Sequence, residues 1–200
     1  MTDSTPETVT LPSTAHRPVL KLLAWVVAAG AIWLSWPFVQ PHLPTGVIAK
    51  VTAPFYAARL SMADAPAALP VPVAGVSFRQ IANTYGAPRG STRKHEGLDI
   101  FAKRGTPVLS ATEGMVTRVG TNRLGGNVVW VLGPGGQRHY YAHLDTQADL
   151  SAGDRVVAGT ELGTVGDTGN ARGTPPHLHY GVYATGGAIN PYPLLKEGAR

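Results

Sequence analysis

Residues 173–182 read GTPPHLHYGV, and the pair His177 and His179 is the first place where side-chain type and spacing could do chemistry. Side chains alternate across a strand, so His-x-His in extended backbone points both imidazoles to one face. One can then bind a metal while the other stands beside the water that the metal holds. A second cluster, KHEGLDI, places His95 and Asp99 four apart. Gly97 between them argues against a helix and for extended or turning backbone, on which the two side chains share a face. Two imidazoles and a carboxylate are the ligand set of an open zinc site, with three protein ligands and a fourth position left to water. Zinc lowers the pKa of that water toward about 7, so a base of modest strength suffices. The candidates are His143, in YYAHLD, and His177, because neutral imidazole titrates near the working pH. Once protonated, the same pair could stabilise an oxyanion on a carbonyl.

Other polar residues receive less. Glu96 follows His95 but on a strand faces the other way, and no His-Glu-x-x-His helix is present. His139 shares a face with His143 if that strand is regular, and is expected to be exposed and without a role. His16 and His42 lie outside this domain and are assigned none. Arg89 in YGAPRG and Asn127 after the GG pair are candidates to line a groove and contact substrate carboxylates or carbonyls, and equally turn or loop residues.

These residues need a scaffold that holds extended backbone. From Val76 onward, TPVLSA, GMVTRVG, NVVWVLG, RHYYAHL, DRVVAG, ELGTVG and HLHYGVY have strand length and strand-favouring Val, Tyr, Thr and Trp. GPGGQ, residues 133–137, reads as a hairpin turn between two of them. Short runs with turn chemistry between them predict a mainly β, antiparallel domain over 75–195, followed by a tail at 196–200. No helix longer than a turn or two is expected within it.

Composition and the N-terminus set the surroundings. The 200 residues hold 17 Lys+Arg against 12 Asp+Glu, net +5, yet only 14% are charged and no basic-aromatic run occurs, which argues against nucleic-acid binding. With no cysteine, disulfides, thiolate catalysis and Cys-ligated zinc are excluded, so any metal site must use His and carboxylate. From Leu22 to Phe38 the chain is free of charge, about the length of a membrane-spanning helix. Arg17 and Lys21 precede it and the next charge after it is Lys50, so the positive-inside bias places the N-terminus in the cytoplasm. The expected order is a cytoplasmic tail at 1–18, an uncleaved single-pass anchor at 19–39 and a Pro/Ala-rich linker at 40–74. That linker is expected to be semi-extended, with a short helix around Ala57 to Met62.

Together, HEGLDIFAKRGTPVLSATEGMVTRVG, GGNVVWVLGPGG, YYAHLD, GDRVVAGTELGTVGDTGNARGTPPHLHYGVY and AINP resemble the lysostaphin-type (LytM-like) zinc metallopeptidase domain, over roughly Leu69 to Leu195. The resemblance implies an antiparallel β fold with a narrow groove, one Zn2+ per chain, and hydrolysis of peptide bonds in peptidoglycan cross-links or stem peptides. By motif, His95, Asp99 and His179 match the metal ligands, and His143 and His177 the catalytic histidines. With the N-terminal anchor, it implies a domain on the periplasmic or cell-wall side of a bacterial inner membrane. Two departures are visible: the segment ARGTPP before His-x-His is longer than usual, and Asn190-Pro191 stands where Asp-Pro is common. The rival is a non-catalytic relative that activates other wall hydrolases through a protein partner. Such relatives lose ligands or catalytic histidines, whereas all five residues are kept here. A cupin-type barrel lacks its downstream Glu and further His, and a serine hydrolase its Gly-x-Ser-x-Gly elbow.

Overall fold

Every run expected to be extended forms a strand, and the reason is burial on alternating faces. The computed structural model describes residues 45–200 apart from Ser91, with side chains from Thr52 onward, and scattered positions between Leu22 and Ser35. Two units are distinguished, 1–48 and 49–200. In the first, the described positions from Leu22 to Ser35 are helical, with Leu22, Val26, Val27, Trp33 and Leu34 exposed. The expected anchor falls largely outside the described residues, and among those described no helix is long and apolar enough to cross a membrane.

In the second unit the strands are β1 (Pro88–Arg89), β2 (Arg93–Lys94), β3 (Leu98–Phe101), β4 (Pro107–Leu109), β5 (Gly114–Asn122), β6 (Gly126–Leu132), β7 (Arg138–Gln147), β8 (Arg155–Val156), β9 (Glu161–Val165), β10 (His177–Ala184) and β11 (Gly187–Ile189). All pair antiparallel. β1 and β2 form a separate two-stranded ribbon, and the other nine make one sheet in the order β11-β10-β7-β6-β5-β8, with β3 on β10, β9 on β7 and β4 on β9. β6 is central: its successive residues Val128 and Val129 are both fully buried, so both of its faces are covered. GPGGQ connects β6 to β7 through a short turn at Pro134–Gly136, with the Gly133 N–H donating to the Gln137 carbonyl at 2.8 Å.

The core gathers Leu98 and Ile100 of β3, Val129 and Val131 of β6, Tyr141 and Leu144 of β7, Leu162 and Val165 of β9, and Leu178, Tyr180 and Val182 of β10. Tyr141 and Tyr180 pack with ring centroids 5.3 Å apart, tilted by 40°, and the Tyr141 hydroxyl accepts from the Ala111 N–H at 2.9 Å, which satisfies a phenol that burial would otherwise penalise. A two-turn helix, Tyr192–Gly198, closes the end of the domain. There the Leu69 N–H bonds the Leu194 carbonyl at 3.0 Å and Phe78 packs on Tyr192 at 4.9 Å.

The expectation for 40–74 needs correction. An 18-residue helix, α1 (Thr45–Met62), occupies much of it, far longer than the short helix expected around Ala57 to Met62. Pro54 is the only proline inside it, the next one comes only after its end, and the alanines around it favour helix. Leu60, Leu69 and Val73 are buried, Arg155 lies 4.4 Å over the Tyr56 ring, and Ser61 and Ala65 sit against Gly135 and Gly136 of the β6–β7 turn. Residues 49–74 are therefore built into the folded unit instead of standing off it.

Candidate active site

Register alone assembles half of the site. On β10, His179 stands directly opposite Asp99 of β3, and side chains so placed have Cβ atoms about 4.5–5.5 Å apart. His177 and His179 lie on the same face of β10, and both border the groove, as alternation requires. His95 comes from the turn between β2 and β3. That turn passes so close to β10 that a Cβ at Gly97 would lie 2.5 Å from the Tyr180 carbonyl oxygen and 2.9 Å from the His179 ring, so only glycine fits there.

The donor atoms converge. His95 Nε2 lies 3.0 Å from Asp99 Oδ1 and 2.9 Å from His179 Nδ1, and His179 Nδ1 lies 3.2 Å from Asp99 Oδ1. Zinc with donors at about 2.0–2.1 Å in tetrahedral arrangement separates them by about 3.3 Å. The triangle is thus within a few tenths of an ångström of what that ion spans, and the donor set suits it. His95 is also prepared as a ligand: its Nδ1–H donates to the Thr84 carbonyl at 2.8 Å, which leaves Nε2 as the lone-pair nitrogen. The Thr84 hydroxyl accepts from the Asp99 N–H at 3.0 Å, so one threonine orients two ligand residues. The second carboxylate oxygen, Asp99 Oδ2, accepts from Arg89. Burial opposes charge on Asp99, but hydrogen bonds to His179, His95 and Arg89 outweigh it and hold the carboxyl well below the usual range.

His143 and His177 flank this cluster. Their rings are 5.1 Å apart, and that of His143 is 5.9 Å from His179. Each has its Nδ1–H donated to a backbone carbonyl, Thr168 for His143 and Pro175 for His177, both at 2.8 Å, so each presents Nε2 as a proton acceptor. Pro175 of GTPPHLH thus orients the first histidine. Burial, reinforced by the neighbouring imidazoles and opposed by the Thr168 carbonyl, pushes His143 down to about 4, so it is neutral across the neutral range.

His143 reaches the groove by breaking the strand. It is the only non-glycine among the described residues with positive φ, at 64°. The register of β7 shifts on both sides of it, against β6 and against β9. Its N–H donates to the Gly125 carbonyl at 2.7 Å. The Asn127 amide donates to the Leu144 and Asp145 carbonyls at 3.1 Å each. Arg104 joins Asp145 to Asp167 at 2.5 and 2.7 Å. Asn127 is therefore a brace for the kink and not a groove contact.

The kink also separates His139 from His143. His139 is fully buried on the other side of the sheet, its Nδ1 2.8 Å from the Tyr180 hydroxyl, contrary to the expectation of an exposed residue. That expectation assumed regular alternation, which the left-handed residue interrupts. Glu96 borders the groove beside Tyr183, outside the donor triangle. Thr84, Thr168 and the Arg89–Asp99 pairing carried no local signal, because each acts across a separation that only the fold closes.

The groove holds about 680 Å³, with Arg89, Arg93 and Lys94 along one side and Trp130, Tyr140 and Tyr183 among its aromatic lining. A buried two-histidine, one-carboxylate cluster with two further imidazoles beside it, at the floor of an open groove on an antiparallel sheet, defines a metal-dependent hydrolytic centre. Residues 93–191 match the model of peptidase family M23. The catalytic domain of lysostaphin from Staphylococcus simulans superimposes with a TM-score of 0.52 at 33% identity, covering 58% of this chain and 91% of that one. The chain belongs to peptidase family M23. Among curated relatives, the L-Ala--D-Glu endopeptidase of Bacillus subtilis is 38% identical over 66% of this chain and 44% of its own length. The peptidoglycan DD-endopeptidase ShyC of Vibrio cholerae is 32% identical over 58% and 27%. The chain thus spans less than half the length of either.

Proposed function

We propose that residues 75–195 are a zinc-dependent endopeptidase that hydrolyses peptide bonds in peptidoglycan cross-links or stem peptides during cell-wall remodelling. The observation that carries this reading is the donor triangle of His95, Asp99 and His179 with two acceptor nitrogens beside it in a groove open to a polymer. Zinc bound there supplies Lewis acidity, polarising a carbonyl and acidifying water. Thr84 and Arg89 hold the ligand side chains in place before any substrate arrives, which lowers the reorganisation needed at the moment of reaction. His143 and His177 take up a proton at Nε2 as water attacks, hold the resulting charge beside the developing oxyanion, and return a proton to the leaving amine. The curated relatives named above are an L-Ala--D-Glu endopeptidase and a peptidoglycan DD-endopeptidase, which supports the substrate class and leaves the particular bond to the groove walls.

We also place the domain outside a bacterial inner membrane, carried by a single-pass anchor at 19–39 with residues 1–18 in the cytoplasm. The uncharged run and the basic residues before it support this. Resistance of the full chain to alkaline extraction from membranes, with the domain digested by protease added outside spheroplasts, is the expected result.

The deciding experiment is mass spectrometry of defined muropeptides incubated with the wild-type domain and with His143→Ala. Cleavage by the first alone is expected. No cleavage by wild type at any metal supplement or pH would instead favour a regulator of other wall hydrolases.

A further inference from the structure

The ribbon β1–β2 stands apart from the nine-stranded sheet and puts like charges face to face: Arg89 on β1 is the cross-strand partner of Arg93 on β2. Like charges directly opposite destabilise a strand pair, and a two-stranded ribbon has little stability to spare. Arg89 is neutralised by Asp99. Arg93 and Lys94 are exposed and border the groove, and their side chains have no hydrogen-bond or ion-pair partner among the described residues. Of the acids that border the same groove, Asp99 is engaged by Arg89 and two imidazoles, and Glu96 lies beside Tyr183. Two cations without an ion-pair partner among the described residues therefore remain, one and two residues before the ligand His95. At about 3.3 Å per residue, their backbones lie within about 7 Å of that of His95, and both residues border the groove that holds the donor triangle.

We propose that Arg93 and Lys94 form a carboxylate-binding subsite that selects a stem peptide carrying a free carboxylate within two residues of the scissile bond. The subsite rests on the endopeptidase reading and adds to it the charge state of the preferred substrate. Guanidinium and ammonium groups donate charge-assisted hydrogen bonds to a carboxylate that a carboxamide of the same shape cannot match. Modification of that carboxylate to its amide would then protect the peptide from this enzyme.

The test compares kcat/KM for two synthetic peptides that differ only in a free carboxylate or its carboxamide beside the scissile bond, using wild type and an Arg93→Gln/Lys94→Gln variant. Wild type is expected to prefer the free acid by about tenfold or more, in line with loss of one to two charge-assisted contacts. In the variant this ratio is expected to collapse to about one. Equal rates in wild type, or a preference that survives in the variant, overturns the subsite while leaving the endopeptidase reading intact. Cleavage of neither peptide by wild type overturns both. If the variant loses activity on intact cell walls while its ratio on the peptides is unchanged, the cations serve an anionic wall polymer, and the subsite is again overturned.

Discussion

The neighbouring strands β7 and β10 both deliver histidines to the groove, by opposite means. β10 is regular over His177–Tyr180, and simple alternation puts His177 and His179 side by side, with Asp99 brought opposite by register. β7 delivers His143 only because its backbone turns through a left-handed residue, braced by Asn127 and by the Arg104 ion pairs. The regular strand presents a metal ligand, His179, and a proton acceptor, His177, at a fixed spacing. The kinked strand swings a proton acceptor toward them from the side, at an angle no flat strand supplies.

Substitutions can break this division, and the largest effect is expected on β10. His179→Ala should lower bound zinc from about one ion per chain to near zero and abolish turnover, as measured by elemental analysis and peptide cleavage. His177→Ala, two residues away on the same face, should keep the metal and lose only turnover. On β7, His143→Ala should likewise keep its zinc while kcat/KM falls by about 10²–10⁴-fold, the usual worth of a positioned acid-base group.

The buried neighbour of the kink provides a pH test. Burial pushes His139 down to about 4, whereas unfolded histidine titrates near 6.5. The unfolded state therefore binds more protons between these values. The contribution of His139 to stability is fully present above about pH 6.5 and is lost as pH falls toward 4, by on the order of 3 kcal/mol. Denaturant unfolding of the zinc-loaded domain across this range should show that slope, and His139→Gln should reduce it.

The smallest effect isolates the kink itself. At the left-handed position, His143→Gly should be more stable than His143→Ala by about 1 kcal/mol, because a Cβ is strained there. At His177, in regular strand, the order should reverse, with glycine less stable than alanine by roughly 0.5–1 kcal/mol. Equal orders at both positions would remove the backbone distinction between the strands.

Legibility in the sequence followed the range of the interactions. The strands and the shared face of His177 and His179 were readable because a period of two is a local property. The nearness of His95 and Asp99 was readable because Gly97 marks a tight passage between them. The roles of Arg89 and Asn127 were not readable. Arg89 acts on a carboxylate ten residues away across two turns, and Asn127 on carbonyls at the far side of a neighbouring strand. The helix α1 was missed because proline-rich flanks hid an alanine-rich stretch whose burial depends on the β6–β7 turn.

The sequence by itself determined the chemistry available: a cysteine-free chain with two imidazoles and a carboxylate at ligand spacing, two more histidines for protons, and strands to carry them. The tertiary structure alone decided which of the β7 histidines faces the groove. His139 and His143 are equivalent by alternation, and one left-handed residue, held by contacts from β6 and from the loop after β9, buries the first and exposes the second to the metal ligands.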